Sequence, residues 1–110
     1  KEIRKEFETE LFIPGSKEGL NIELDKAFRL DDFITMGQLI AYDALNREES
    51  CGGHFREEYQ TEEGEAKRDD ENFFYVACWE YQGSDDKAPV LYKEPLVYEA
   101  IKVQTRNYKS

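Results

Sequence analysis

The chain has 110 residues, of which 36% are charged, and its formal net charge is −10 at pH 7. This balance argues against binding to nucleic acid or to an anionic lipid surface, because both need clustered lysine and arginine. Apolar residues make up 39% and aromatic residues 14%, which is enough for one domain with a modest core. No apolar run approaches the roughly 20 residues of a membrane-spanning helix, and no signal peptide is recognisable.

Two cysteines, Cys51 and Cys78, lie far apart in the sequence. They form no C-x-x-C pair, so this chain alone can build neither a zinc ribbon nor an iron–sulfur site. The sequence leaves open whether the two cysteines form a disulfide. We favour two reduced, partly buried thiols of an intracellular protein.

The first residues predict a short helix. Ile3, Phe7 and Leu11 recur at helical spacing, and the helix is expected to stop near Pro14. The chain opens on charged helix formers with neither a methionine nor an N-cap residue. We therefore interpret the sequence as a fragment cut within a helix of a longer protein.

A second, longer helix is predicted to begin at Asn21, a good N-cap residue. A wide apolar stripe follows, and we expect it to be buried. Gly37 inside the stripe suggests the close approach of another backbone. Two antiparallel helices would not cover the stripe, so a third partner is expected, either upstream residues or the β half. The stripe consists of Leu24, Ala27, Phe28, Leu30, Phe33, Ile34, Gly37, Ile40, Ala41, Ala44 and Leu45.

The segment 43–59 joins the helical half to the β half. The paired glycines Gly52 and Gly53 are interpreted as the stop of the long helix. His54 is the natural candidate for acid–base chemistry, yet no nucleophile motif accompanies it, and we favour a structural or interface role. Arg47 and Arg56 could bind a carboxylate or a phosphate, but pairing with nearby glutamates is the preferred interpretation.

The second half is predicted to be an acidic loop followed by a hairpin. Residues 57–71 lack the spacing of a calcium-binding EF-hand loop and are interpreted as solvated. Residues 70–72 could cap a short helical turn through Phe73 and Phe74. An aromatic alternation over 75–81 and a second apolar run over 89–95 predict two paired strands. A further extended piece is expected over 96–103, followed by a polar, basic tail over 105–110.

These elements predict an α+β fold: antiparallel helices, as the remnant of a helical bundle, and then a small antiparallel β-hairpin. We treat residues 1–110 as a single domain, with 1–56 mainly helical, 57–72 an acidic loop, and 73–110 the hairpin and tail. The residues themselves indicate no self-contained active site.

Residues 44–59, followed by 68–73, resemble the C-terminal domain of the flavoprotein subunit of fumarate reductase and succinate dehydrogenase. That family typically reads A-L-x-R-x-E-S-R-G-A-H-x-R and later R-D-D-E. Residues 92–95 and 105–108 also resemble the family's closing strand and tail, so the resemblance runs from about Leu20 to the end. The signature residues are Asn46, Arg47, Glu49, Ser50, Gly52, His54, Arg56, Asp69 and Asp70.

This sequence departs from the family pattern in three places. Cys51 stands where the family usually has arginine, Gly53 stands where it has alanine, and an acidic segment at 61–66 interrupts the pattern. The departures look like those of one bacterial branch. They put in doubt any role that would be transferred from the missing arginine.

The resemblance implies a parent enzyme that binds FAD and interconverts succinate and fumarate. Electrons would pass to an iron–sulfur subunit, then to a membrane anchor and quinone, on the cytoplasmic side of a bacterial inner membrane. The flavin and substrate groups would come from upstream flavin-binding and capping domains, so this fragment is expected to be inactive, with no catalytic, cofactor-binding or metal-binding residue. The signature residues are expected to hold the segment 43–59 in its conformation and to dock it onto the flavin domain.

Two other functions stay open. The C-terminal region of L-aspartate oxidase carries a similar S-R-G-x-H corner, although the run 68–72 and the aromatic strand favour the respiratory branch. The other alternative is a free-standing interaction module with no enzymatic role.

Overall fold

The computed structural model describes residues 1–104, and the chain divides into two compact units, Lys1–Tyr42 and Asp43–Ser110. Helices come first and a two-stranded antiparallel sheet comes last, which confirms the predicted α+β class. The elements are α1 (Glu2–Glu10), α2 (Ile22–Asn46), α3 (Asp70–Phe73), β1 (Tyr75–Glu80) and β2 (Val90–Pro95). The prediction that 1–110 is a single domain stays a prediction.

Helix α1 ends at Glu10, earlier than the stop expected near Pro14, because Leu11 already has an extended backbone with ψ of 122°. An arginine ties α1 to the middle of α2. Arg4 Nη1 donates to Asp31 Oδ1 at 2.7 Å, and Arg4 Nη2 donates to Thr35 Oγ1 at 2.5 Å.

The chain after α1 lies beside an earlier part of α2. Leu11 and Pro14 line one shallow hollow with Ala27 and Leu30. Because the start of α1 lies near residues 31–35 and its end lies near 27–30, the two helices run in opposite directions.

Asn21 caps α2, as the sequence predicts. Its Oδ1 accepts hydrogen bonds from the backbone N–H groups of Glu23 at 3.1 Å and Leu24 at 3.2 Å. These bonds satisfy two of the donors that a helix start leaves without a partner inside the helix.

The apolar stripe of α2 is not buried within residues 1–104, so its predicted burial by a third partner stays a prediction. Within residues 1–104 no apolar side chain is fully buried, and four large residues of the stripe are more than half exposed, namely Phe28, Phe33, Ile40 and Leu45. A Cβ added at Gly37 would meet nothing within 4 Å, so the expected close approach of another backbone is also absent from the part of the chain that is described. Burial of a stripe depends on a covering surface, which helical spacing cannot supply.

The paired glycines do not end α2, and this corrects the interpretation of Gly52 and Gly53 as its stop. The helix already ends at Asn46. Gly52 and Gly53 instead form the two-residue turn of a small antiparallel bridge, in which Cys51 N–H donates to His54 C=O at 2.8 Å and His54 N–H donates to Cys51 C=O at 3.0 Å. Gly52 has φ of +58°, whereas φ at Gly53 is not positive. A positive φ at the first central residue alone is typical of a type II′ turn.

This turn predicts opposite outcomes for two matched alanine substitutions. Gly52→Ala should destabilise the bridge by about 1 kcal/mol, because L-residues disfavour the left-handed region. Gly53→Ala should be close to neutral, since φ is ordinary there and an added Cβ meets no atom within 4 Å. Amide hydrogen exchange of the Cys51 and His54 N–H groups measures the difference. Equal effects of the two substitutions would contradict the turn assignment.

Strands β1 and β2 form the predicted hairpin. Their register pairs Tyr75 with Pro95 and Glu80 with Val90, and residues 81–89 connect them. Burial alternates along β1, so the face of Tyr75, Ala77 and Trp79 is half-buried while the other face is exposed.

Other predictions for this half require correction. No strand forms over 96–103, where only the Leu96 N–H bond to Phe74 C=O, at 3.2 Å, continues the pairing. Cys51 and Cys78 are free thiols, but both are exposed rather than partly buried. The basic tail predicted for 105–110, with the tail motif at 105–108, lies outside the described residues.

The acidic loop has its own hydrogen bonds. Gln60 and Ala66 form an antiparallel bridge, and Thr61 N–H donates to Glu65 C=O at 2.9 Å. Gly64 turns the chain with φ of +80°. Most of the carboxylates nevertheless point to solvent, as expected for a solvated loop.

Candidate functional site

Residues 46–56 include one buried carboxylate, Glu49, which is only 3% exposed. Glu49 Oε1 accepts from Arg47 Nη1 at 2.7 Å, and Glu49 Oε2 accepts from the Asp69 backbone N–H at 2.9 Å. One side chain therefore connects the end of α2 to the start of α3. A buried carboxylate needs partners of this kind, because desolvation of an unpaired charge is costly.

Arg47 links Glu49 to the end of α3 and to the first residue of β1. Its Nη1 also donates to Phe73 C=O at 3.1 Å, and its Nη2 donates to Tyr75 C=O at 3.2 Å. The guanidinium lies over the rings of Phe73 and Tyr75, at 5.8 and 5.3 Å from their centroids. Five fixed N–H donors in one plane allow Arg47 to serve a carboxylate and two carbonyls at once.

Ser50 is fully buried and closes the loop on itself. Its Oγ donates to Arg56 C=O at 3.1 Å and accepts from Arg56 N–H at 2.8 Å. Its own N–H donates to Lys67 C=O at 2.9 Å, which ties the corner to the end of the acidic loop.

His54 and Arg56 bind carbonyls at the end of α2 and at Arg47, the residue that follows it. His54 Nε2 lies 2.9 Å from Arg47 C=O and must donate there, which places a proton on Nε2. Arg56 Nη1 donates to Leu45 C=O at 3.1 Å and to Arg47 C=O at 3.3 Å. Helix C-termini leave carbonyls unsatisfied and carry partial negative charge, so a cation and a ring N–H stabilise this end.

The second part of the signature forms the cap of α3. Asp69, one position before the run 70–72 that was predicted to cap the turn, is the N-cap residue, and its Oδ1 accepts from Asn72 N–H at 3.2 Å. Asp70 instead accepts from Arg68 Nε at 2.9 Å and Nη2 at 2.5 Å, and Arg68 Nη1 donates to Gln104 C=O at 3.3 Å.

The signature residues thus lie in two segments, 46–56 and 69–70, which the hydrogen bond from Asp69 N–H to Glu49 joins. Asn46 is the last residue of α2, and Gly52 makes the turn. We call the nine signature residues and their bonds the corner. Whether the corner also contacts a flavin domain stays a prediction.

Sequence reasoning missed one contact of the corner. Trp79 Nε1 donates to Asp43 Oδ1 at 2.7 Å, so the half-buried face of β1 is anchored beside the end of α2. The available signal was the indole N–H, which usually finds an acceptor when its ring is partly covered.

Two ionisable groups near the corner and on the hairpin have shifted pKa values. Backbone hydrogen bonding and then the Arg56 guanidinium lower the pKa of exposed Glu58 below its usual value. On the exposed face of the hairpin, Tyr92 Oη donates to Glu80 Oε2 at 2.9 Å, and this bond to a carboxylate raises the pKa of Tyr92.

The Tyr92 shift predicts a pH effect in the alkaline range. A raised pKa in the folded state means that the contribution of this bond is fully present below pH about 10 and is lost as pH rises through the folded pKa. The measurement is absorbance titration at the tyrosinate band, taken as the difference between the parent chain and Tyr92→Phe. It should show a pKa for Tyr92 above that of an ordinary tyrosine. Glu80→Gln should move that difference titration to lower pH; an unchanged titration would contradict the assignment.

The histidine and the buried carboxylate of the corner are engaged within the chain. His54 Nε2 is engaged with a backbone carbonyl, and both Glu49 oxygens already accept hydrogen bonds. Residues 1–104 contain no group of three His, Cys, Asp or Glu placed to hold a metal ion, and no helix among them has the length and apolarity to span a bilayer. What the arrangement does is join α2, α3 and β1.

The comparison with known families agrees with the signature. The sequence matches the family described as Fumarate reductase flavoprotein C-term over residues 1–108, so the match begins upstream of the Leu20 limit expected from the resemblance. No curated protein and no solved structure matches the chain. Because the family match covers almost the whole sequence, this chain belongs to the family of fumarate reductase flavoprotein C-terminal domains.

Proposed function

We propose that this chain is the non-catalytic C-terminal domain of the FAD-containing subunit of a bacterial fumarate reductase or succinate dehydrogenase. The parent subunit interconverts succinate and fumarate, and FAD bound by its upstream domains transfers the hydride. The chain described here contributes structure, and its own residues neither bind flavin nor act on the dicarboxylate.

The proposal extends to partners and location. The domain contacts the flavin-binding and capping domains of its own subunit. The subunit passes electrons to an iron–sulfur subunit and, through a membrane anchor, to quinone. The assembly lies on the cytoplasmic side of the bacterial inner membrane.

One observation carries this proposal: the family match over residues 1–108 includes a corner whose charged side chains bind one another and the backbone. A catalytic carboxylate or histidine needs an atom left for substrate. In the corner, His54 Nε2 and both Glu49 oxygens make hydrogen bonds within the chain.

The test is to express the whole subunit that contains this chain and to assay it for bound flavin and for turnover. We expect a flavin absorbance band and succinate–fumarate interconversion with an artificial electron carrier. Oxidation of L-aspartate in place of succinate would assign the chain to the alternative, L-aspartate oxidase. A product without flavin, and with no turnover of either substrate, would favour an interaction module and overturn the proposal.

A further inference from the structure

The chain that follows β2 lies against the segment that precedes β1. Residues 96–104, which we call the strap, contain neither helix nor strand. Leu96 N–H donates to Phe74 C=O at 3.2 Å, and the ring of Tyr98 meets the ring of Phe74 edge-on, with 5.8 Å between the centroids. The first part of the strap is therefore attached to Phe74 by a backbone hydrogen bond and a ring contact.

An arginine holds the far end of the strap. Arg68 Nη1 donates to Gln104 C=O at 3.3 Å, across 36 positions of the chain. Arg68 Nε and Nη2 both donate to Asp70 Oδ1, at 2.9 and 2.5 Å. A guanidinium is planar and rigid, so two N–H groups fixed by one carboxylate set the direction of the third. Asp70 thus orients the donor that reaches Gln104.

Between these two attachments the strap buries little apolar surface. Val97 is 82% exposed and Ile101 is 66% exposed. Stabilisation by burial scales with the apolar area removed from water, so these side chains contribute little to closure of the strap. Segments with few buried apolar contacts open at a lower free energy than the elements to which they are attached. The strap is therefore expected to open while β1 and β2, which are paired along their whole length, stay together.

We propose that the strap closes and opens on residues 68–74 as one unit while the hairpin stays paired, and that Asp70 is the positioning residue that keeps it closed through Arg68. This inference goes beyond the proposed function, because it involves no flavin, dicarboxylate or partner domain. Closure fixes Gln104, the residue from which 105–110 continue, so the strap sets where the rest of the chain leaves the domain.

Trypsin provides the first measurement, because Lys102 is an exposed lysine within the strap. Cleavage after Lys102 in the full chain of 110 residues is followed by peptide mass spectrometry. The cleavage rate follows the open population when opening and closing are fast relative to cleavage. Asp70→Asn should raise this rate about tenfold, because a neutral amide forms weaker hydrogen bonds with a guanidinium than a carboxylate does. Cleavage after Lys87, in the connection between the strands, should not change.

Glu71→Gln is the matched control, since Asp70 and Glu71 are both carboxylates in the first turn of α3. Each substitution removes one negative charge from this helix start, but of the two it is Asp70 that accepts from Arg68. We expect Glu71→Gln to change cleavage after Lys102 by no more than about twofold. Asp70→Glu should restore slow cleavage, because a carboxylate is again available to Arg68. Equal rates in Asp70→Asn and Glu71→Gln would overturn the positioning role.

Amide hydrogen exchange at Leu96 tests whether the strap moves as one unit. Leu96 N–H lies at the opposite end of the strap from Gln104. In one-unit opening, Asp70→Asn accelerates exchange at Leu96 by the same factor as cleavage after Lys102, while the amides that pair β1 with β2 keep their rates. Faster cleavage with unchanged exchange at Leu96 means that the strap frays from its far end, and the proposal then fails.

Tyr98→Ala is the second variant, and it decides the case if Asp70→Asn does not fold. It removes the ring contact with Phe74 from the first part of the strap. Cleavage and exchange should again rise by one common factor, because either attachment closes the same unit. Tyr81→Ala is the control, since this tyrosine of the strand connection is 66% exposed, and both rates should stay within about twofold. A rise in one rate alone, or equal effects of the two tyrosine substitutions, contradicts a strap that opens as one unit.

Discussion

Replacing Glu49 with alanine is expected to loosen the whole corner, by about 3 kcal/mol in the free energy of its local opening. The substitution removes the acceptor of Arg47 Nη1 and of the Asp69 N–H together. Arg47 then keeps its charge beside two backbone carbonyls without the buried carboxylate that balances it. A difference of this size corresponds to about 100-fold faster exchange of the protected amides, since about 1.4 kcal/mol is a factor of ten.

Glu48→Ala is the matched control for this prediction. Glu48 is the neighbouring glutamate and is exposed, so its removal should change opening by no more than about 0.5 kcal/mol. The measurement is native-state exchange of the Ser50 and Asp69 amides in both variants. Similar exchange in Glu49→Ala and Glu48→Ala would show that the buried carboxylate does not hold the corner.

Arg47→Lys keeps the positive charge of the corner but removes the planar fork, and it is expected to cost about 2 kcal/mol. An ammonium group cannot reach Glu49, Phe73 C=O and Tyr75 C=O together, whereas the guanidinium donates to all three. The contact of the flat guanidinium with the two aromatic rings is lost as well.

Arg29→Lys is the control, because Arg29 makes one exposed ion pair with Asp25 and no carbonyl contact is involved. That change should stay within about 0.5 kcal/mol, as expected for surface pairs one helical turn apart. Unfolding of the two variants by urea, followed by the fluorescence of Trp79, compares them. If Arg47→Lys matches Arg29→Lys, charge alone explains the corner and the geometric account is wrong.

Local signals predicted the parts of the fold that depend on neighbours in sequence. Asn21 was identified as the N-cap because amide side chains satisfy free N–H groups at helix starts, and the structure shows both bonds. The hairpin followed from alternation over 75–81 and a turn-rich segment, and the pairing of Tyr75 with Pro95 confirms it.

Predictions that required a distant partner were wrong or stay untested. Gly52 and Gly53 resemble a helix stop, but α2 ends six residues before Gly52, and the glycines instead turn the chain so that Cys51 pairs with His54. Helical spacing defined the stripe of α2 correctly as a face, yet it cannot state what covers it.

The candidate site shows the same division. The family signature indicated which residues belong together, although it did not state how. The structure assigns Glu49 to Arg47 and Asp69, and His54 and Arg56 to the end of α2. The bonds of the corner span up to 28 positions, from Arg47 to Tyr75, and no local pattern specifies partners at that distance.

The central claim is that the corner supports the parent enzyme and does not take part in its reaction. The most direct measurement compares the whole subunit carrying Arg47→Ala or His54→Ala with the parent protein, in both unfolding temperature and turnover per bound flavin. We predict a lower unfolding temperature or less assembled subunit, with turnover per flavin within about threefold of the parent. Normal assembly and an unchanged unfolding temperature, together with lost turnover per flavin, would contradict the account.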